Sequence, residues 1–277
     1  ISKVVIAGAV GSIAGPLLVG PAGRWALRAG VNELAGPFLA AMFALAAASL
    51  AVFVWLRPDP RDVGRKMAQK HPEPTAHPGP ARSISQVLRT PAALAAVSAM
   101  VLAQMVMVML MVVTSLYMKG HQHSLADISL VIAAHVFGMC AFSFLSGRLT
   151  DRWGRGPVIL SGAGLLVLAS ALAPLFTAVL PLAAALFLLG LGWNFCYVGG
   201  SALLSDQLSH AERAKTQGAN EWLLGVATAT ASLGAGLVFA LTSFTTIGIL
   251  GAALALVPLG LTGWWLIRNR APVAAWL

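Results

Sequence analysis

Two ionisable side chains lie inside long apolar runs of this sequence and could carry protons. His135 offers an imidazole, and Glu221, beside Asn220, offers a carboxylate. Polar groups in apolar runs are costly and usually face a cavity or another helix, so both residues are candidates for proton coupling. The alternatives are a hydrogen-bonded structural histidine and a carboxylate favoured by a nearby helix N-terminus.

A second group of polar and aromatic residues recurs at helical spacing. Asn194, Tyr197 and Ser201 are spaced at i, i+3 and i+7, so they share one face of a helix. Such a stripe predicts a pocket for an amphipathic solute, and the alternative is a set of interhelical hydrogen bonds. The candidate substrate cavity combines this stripe with the amide of Gln104, the adaptable thioether of Met111 and the indole of Trp193. Its predicted residues are therefore Gln104, Met111, Trp193, Asn194, Tyr197 and Ser201.

Signals for catalysis, metal binding and cofactor binding are weak in this sequence. His121 and His123 form an H-x-H pair, but no carboxylate or cysteine stands beside them to complete a metal site. No Gly-x4-Gly-Lys-Ser/Thr phosphate loop occurs, so ATP hydrolysis by this chain is not supported. The sequence predicts a protein that is not an enzyme, with no cofactor and no metal.

The composition indicates that these residues are carried by membrane helices. Of the 277 residues 58% are hydrophobic and 10% charged, whereas soluble domains carry about 25% charged residues. The net charge of +9 would suggest nucleic acid on a soluble face, but the basic residues lie in short segments between apolar runs. The predicted surroundings are therefore a lipid bilayer, and nucleic acid is not an expected partner.

Eight apolar stretches are long enough to cross a bilayer, which requires about 20 residues in a helix. The fold class is predicted to be all-α, a polytopic membrane helical bundle. Its spans are 4–23, 34–56, 91–117, 126–146, 157–177, 180–204, 218–242 and 245–267.

The basic residues predict an orientation for these spans. A Pro-, Arg- and Lys-rich linker at 57–90 separates two spans from six. If that linker is cytoplasmic, fifteen of the 18 Lys and Arg residues fall on the cytoplasmic side, leaving Arg24, Arg28 and Lys119 outside. The prediction is a multi-pass protein of the cell (inner) membrane with both termini of this chain in the cytoplasm.

The connection between the fourth and fifth spans has a distinctive pattern. Gly147 and Gly154 permit a tight turn, and Asp151 places an anion where an Arg or a helix N-terminus can meet it. Arg152 and Arg155 would hold the loop at the anionic inner leaflet. The segment resembles the G-x-L-x-D-R-x-G-R signature of the major facilitator superfamily: Gly147-Arg148-Leu149-Thr150-Asp151-Arg152-Trp153-Gly154-Arg155.

The resemblance implies a transporter that works by alternating access, with this motif as a cytoplasmic conformational latch. Its expected partner is the start of the first span, near Ser2 and Lys3. The chain would correspond to helices 5–12 of a twelve-helix fold and would lack the first four. The implied parts are 1–56, the last two helices of the N-terminal half; 57–90, the central linker; 91–270, the six-helix C-terminal half; and 271–277, a tail.

A weaker pattern refines this expectation. Gly11, Gly15, Pro16 and Gly20 resemble the G-x-x-x-G-P-x-x-G-G element of proton-coupled antiporters in the family, with Val19 where the pattern prefers Gly. It implies close approach of a neighbouring helix at the glycines and favours proton-coupled efflux of a small solute, although helix packing alone would also explain small residues. The alternatives are a facilitator or importer of the same fold, or a non-transporting membrane remnant.

A last pattern is structural. Ser209 and Glu212 have the spacing of a capping box, which predicts a helix start. Further along, Thr228, Ser232 and Gly236 are spaced by four and predict a packing seam.

Overall fold

The computed structural model describes residues 2–59, 62–63 and 82–269, without the side chains of residues 2–9, 13, 210 and 211. This part of the chain contains helices and no strands. A short 3-10 helix at Ala173–Leu175 follows the seventh α-helix. The α-helices are α1 Ser2–Arg28, α2 Ala35–Trp55, α3 Ile84–Leu88, α4 Pro91–Gly120, α5 Leu125–Cys140, α6 Ser143–Trp153, α7 Arg155–Leu172, α8 Val179–Asp206, α9 His210–Leu241 and α10 Phe244–Asn269.

The predicted all-α polytopic bundle is confirmed. Each of the eight predicted spans falls mainly on helical residues, and the first of them, 4–23, lies within α1. Within the described residues, seven helical segments are long and apolar enough to cross a membrane by length and composition. These are Ala35–Trp55, Pro91–Gly120, Leu125–Trp153, Arg155–Leu175, Val179–Asp206, Glu212–Leu241 and Phe244–Asn269.

The helices differ most from the predicted spans at two places. The span predicted at 126–146 is two helices, because α5 ends at Cys140 and α6 begins at Ser143. The span predicted to begin at residue 218 belongs to α9, which begins at His210 after the capping box of Ser209 and Glu212. Hydropathy detects the lipid-facing part of a helix, whereas a cap determines where the helix itself starts.

The chain packs as two compact units, and the larger one, Ile1–Pro16 with Ala81–Leu277, contains the main core. There α8 packs against α4, α5 and α7, and α4 also packs against α9 and α10. Small residues on α8 allow this close packing. A Cβ added at Gly192 would lie 2.9 Å from the Gly162 carbonyl oxygen, and one at Gly200 would lie 2.8 Å from Met100 Cγ.

The smaller unit, Leu17–Pro80, contains the end of α1 and all of α2. Gly30 adopts a φ of +74° in the turn between the two helices, a conformation that favours glycine. Gly36 at the start of α2 lies directly against the Ala22 carbonyl, where no larger residue would fit. Farther along, α2 exposes apolar side chains such as Phe38 and Trp55, as a lipid-facing helix does.

Candidate functional site

Helices α4, α8 and α9 surround an open cavity of about 390 Å³. Trp193 and Tyr197 are one turn apart on α8, and the α9 residues are spaced at i, i+3, i+4 and i+7, so each helix presents one face. The volume falls within the range of small-molecule sites, about 300–1,000 Å³. The residues that line the cavity are Gln104, Trp193, Tyr197, Glu221, Leu224, Gly225 and Thr228.

A chain of contacts runs around the cavity wall. Gln104 Nε2 donates to Thr228 Oγ1 at 2.9 Å, and Trp193 Nε1 donates to Gln104 Oε1 at 2.8 Å. The Trp193 and Tyr197 rings stack with centroids 4.9 Å apart and planes 17° from parallel. Tyr197 OH then donates to Glu221 Oε1 at 3.2 Å. Side chains of α4, α8 and α9 are thus connected through an amide, two rings and a carboxylate.

Glu221 lies well inside its helix. Since α9 begins at His210, Glu221 is roughly 16 Å along the axis at about 1.5 Å per residue. The helix-dipole effect fades within the first turn, so the alternative that Glu221 stands near a helix N-terminus is wrong. Glu221 instead lies at the open cavity, beside the phenol of Tyr197.

The structure brings Gln104, Trp193 and Tyr197, predicted for the substrate cavity, together with Glu221, which was predicted separately as a proton-coupling residue. Thr228, predicted as part of a packing seam, also lines this cavity. The face of α9 that packs into the core instead contains small alanines: Ala227, Ala231 and Ala235.

Asn194 does not line the cavity, so its predicted position there is wrong. It is buried, its Nδ2 donates to Met139 O at 2.6 Å and Ser143 Oγ at 3.0 Å, and its Oδ1 accepts from Ser146. Because α5 ends at Cys140, the Met139 carbonyl belongs to a last helical turn, where carbonyls lack an intrahelical partner. Asn194 supplies that partner and connects α8 to the break between α5 and α6.

Three other predicted site residues also lie away from the cavity lining. Met111 and Ser201 are half-buried and are not among the lining residues. His135 is fully buried on α5, with Nδ1 3.0 Å from Leu186 O. Its Nε2 has no hydrogen-bond partner within the described part of the chain. This environment matches the alternative of a hydrogen-bonded structural histidine.

The motif at 147–155 is mostly helical. Gly147 lies inside α6, with open space where a Cβ would stand, whereas Gly154 makes the turn to α7 at a φ of +91°, so the prediction of two turn glycines is half wrong. Arg155 is the centre of the contacts: its Nη1 lies 3.3 Å from Asp151 Oδ1, and its Nε lies 2.9 Å from Asp206 Oδ2. The Asp151 side chain is 76% exposed, so it is accessible to a further contact besides Arg155.

The antiporter-like residues lie on α1, which continues through Pro16. Within the described residues, no neighbour lies within 4 Å of a Cβ position at Gly11 or Gly15, so the close helix approach predicted there does not occur in this structure. Gly20 is buried. The side chains of Ser2 and Lys3, the predicted latch partners, lie outside the described residues.

The sequence patterns did not predict the ion pair between Arg82 and Glu212, which connects the end of the linker to the first turn of α9. Arg82 donates to both carboxylate oxygens of Glu212, at 2.9 and 3.0 Å, and to Gln207 O at 2.5 Å. The hydrogen bond to Glu212 raises the pKa of the Arg82 guanidinium above its ordinary value. Because Arg82 and Arg155 contact the adjacent residues Gln207 and Asp206, the linker end and the motif lie at the same end of this bundle.

Comparison with known proteins identifies clear similarities. The family model described as the Major Facilitator Superfamily matches residues 96–275. The uncharacterised MFS-type transporter YdeG of Bacillus subtilis (strain 168) is 36% identical over 257 residues, which cover 92% of this chain and 59% of that protein. The riboflavin transporter RfnT of Brucella anthropi is 32% identical over 271 residues, 94% of this chain and 63% of that protein.

A shorter match is also relevant. The multidrug resistance protein MdtL of Escherichia coli (strain K12 / DH10B) is 37% identical over 90 residues, 32% of this chain and 23% of that protein. The chain spans about three-fifths of the length of YdeG and RfnT. Together with the all-α architecture and its apolar helices, these similarities show a multi-pass membrane protein of a transporter family, not an enzyme. The chain belongs to the Major Facilitator Superfamily.

Proposed function

We propose that the intact protein is a secondary active transporter that exports a small amphipathic solute in exchange for protons. The observation that carries this proposal is the position of Glu221, a carboxylate inside a membrane helix at an open cavity. Ionisable groups at such positions commonly mark ion or substrate pathways. The multidrug resistance protein MdtL, similar over a third of this chain, and the antiporter-like residues of α1 support export.

Glu221 can couple proton movement to solute movement because the proton and the solute compete for the same carboxylate. When ionised, it accepts a hydrogen bond from the Tyr197 hydroxyl and attracts a solute with a positive or hydrogen-donating group. When protonated, it loses its charge and holds that solute less strongly. Alternation of the cavity between the two sides of the membrane would then exchange protons for solute.

Glu221→Gln is expected to reduce proton-driven accumulation of solute at least tenfold and to preserve downhill equilibration. Glutamine keeps the shape of the side chain and can still accept from Tyr197, but it cannot take up a proton. The measurement is ethidium transport in everted vesicles containing the intact protein, with and without an imposed proton gradient. Glu33→Gln is the matched control because Glu33 lies outside the cavity. Wild-type proton dependence in Glu221→Gln would remove this residue from the coupling role.

A facilitator or importer of the same fold is the second candidate. The riboflavin transporter RfnT supports it, since that similarity extends over nearly the whole chain. The two functions respond differently when an ionophore dissipates the proton gradient: an exchanger stops accumulating solute, whereas a facilitator continues to equilibrate it. Riboflavin and ethidium, measured side by side in the same vesicles, serve as the two transport probes.

The proposed orientation places the 57–90 linker and both termini of this chain in the cytoplasm, in the cell (inner) membrane. The excess of Lys and Arg in the segments on that side supports it. In this orientation the exposed Asp151 and Arg152 belong to a cytoplasmic latch. Arg155 is held by Asp206 and orders the turn, which allows Asp151 to exchange partners as the cavity changes sides.

Asp151→Ala and Arg152→Ala are each expected to lower the transport rate severalfold and leave membrane insertion intact. Both side chains lie at the exposed end of α6, so their removal creates no cavity in the core. Transport in vesicles is compared with the amount of protein in the membrane fraction. Arg213→Ala is the control, since it removes an exposed positive charge at the start of α9. Normal rates in both variants would eliminate the latch.

A further inference from the structure

We infer that the cavity takes a planar heteroaromatic ring with an amide-like edge, such as a ring lactam or imide. The inference rests on the proposed transport function and specifies its substrate class. It follows from three features of the cavity wall: a rigid pair of stacked rings, a carboxamide with a fixed orientation, and a glycine where the wall has no side chain.

The stacked rings of Trp193 and Tyr197, here called the aromatic platform, are held at both ends. The indole N–H is bound by Gln104, the phenol hydroxyl by Glu221, and the rings are 17° from parallel. Rings fixed in this way lose little conformational entropy when a ligand arrives. Flat aromatic surfaces prefer offset stacking with another ring, so the exposed surface of the platform favours a planar aromatic partner.

The carboxamide of Gln104 has an orientation that its neighbours determine. An indole N–H can only donate, so the atom 2.8 Å from Trp193 Nε1 must be the amide oxygen. The nitrogen therefore faces Thr228 Oγ1, at 2.9 Å. The NH₂ group keeps a second proton and the oxygen a second lone pair. Gln104 can thus offer an adjacent donor and acceptor, the complement of a lactam or imide edge.

The third feature is an open space on the cavity wall. Gly225 lines the cavity, and no atom lies within 4 Å of a Cβ built on it. Beside it, Leu224 adds apolar surface. A flat ring fits such a space, whereas a polyol would need more hydrogen-bonding groups than one amide, two hydroxyls and one carboxylate supply.

The test uses lumichrome, a fluorescent tricyclic imide, and 1,3-dimethyllumichrome, in which methyl groups replace both ring N–H protons so that no lactam or imide edge with a donor remains. Each is titrated into proteoliposomes of the intact protein, and quenching of its fluorescence by stacking is measured. We expect saturable quenching by lumichrome and at least tenfold weaker binding of the dimethyl derivative. Trp193→Leu should weaken lumichrome binding at least tenfold. Gln104→Leu should also weaken it and abolish the preference between the two compounds.

Trp222→Leu is the matched control because Trp222 lies on α9, is 67% exposed and does not line the cavity. It should bind both compounds as the wild type does. Two results would overturn the inference: no saturable quenching by lumichrome, or equal binding of the two compounds by the wild type. If the same proteoliposomes still exchange ethidium for protons, the proposed transport function stands and only the substrate class fails.

Discussion

Gly225→Phe is expected to abolish transport of both probes, ethidium and riboflavin, and to leave the amount of folded protein unchanged. Gly225 lies on the cavity wall, and a Cβ there would meet no atom within 4 Å. The new ring therefore enters the space that a solute would occupy, without displacing the packed core. The substitution does not disfavour the helix, because phenylalanine has a higher helix propensity than glycine by roughly 0.5 kcal/mol.

Gly234→Phe supplies the control for this experiment. Gly234 lies on the same helix, is exposed, and also has no atom within 4 Å of its Cβ position, but it does not line the cavity. It should transport at the wild-type rate, and Gly225→Ala should lie between wild type and Gly225→Phe. Equal loss of transport in both phenylalanine variants would mean that the cavity is not the cause. Full activity of Gly225→Phe would mean that the solute takes another path.

The type of the long helices and their approximate positions could be predicted because the apolar runs are long and a bilayer demands about 20 residues. The ends were less predictable. The start of α9 lies eight residues before the predicted span, in a polar segment that water can solvate. Its capping box was visible in the sequence, but a count of apolar residues does not include it.

The cavity could be predicted in part, because polar residues in apolar helices must meet a partner or a cavity. Periodicity could not separate adjacent faces of α8. Successive residues turn by about 100°, so Asn194 points about 100° away from Trp193, whereas Tyr197 lies within about 40° of it. Trp193 and Tyr197 therefore share the cavity face, and Asn194 faces the break between α5 and α6.

Contacts between distant parts of the chain had no local signal. Gln104 meets Thr228 across 124 residues, and Arg82 meets Glu212 across 130. Thr228 and Glu212 each have an ordinary local explanation, the first in a packing seam and the second in a helix cap. Their pairing with Gln104 and Arg82 depends on how α4, α8 and α9 pack, which in turn depends on which glycines allow close approach.

Asn194→Leu is expected to lower the thermal midpoint of the intact protein in detergent by about 4–8 °C. Leucine fits a similar volume but makes none of the three hydrogen bonds to Met139, Ser143 and Ser146. Interhelical hydrogen bonds in membranes are worth about 0.6 kcal/mol each, so three amount to roughly 2 kcal/mol. A loss of about 1 kcal/mol shifts the midpoint by about 2–4 °C in a domain of roughly 150–250 residues, the size range of the six-helix segment that contains Asn194.

Asn220→Leu is the matched control, because Asn220 is equally buried, 2% exposed, but poorly bonded. Its Nδ2 lies 3.7 Å from Met100 Sδ, and its Oδ1 has no partner among the described residues. Replacing such an amide by an apolar side chain removes a desolvated group and should leave the midpoint unchanged or raise it. Equal midpoints for the two leucine variants would contradict the role of Asn194 in connecting α8 to the α5–α6 break. A lower midpoint for Asn194→Leu alone would establish that Asn194, next in the chain to the cavity-lining Trp193, stabilises the bundle.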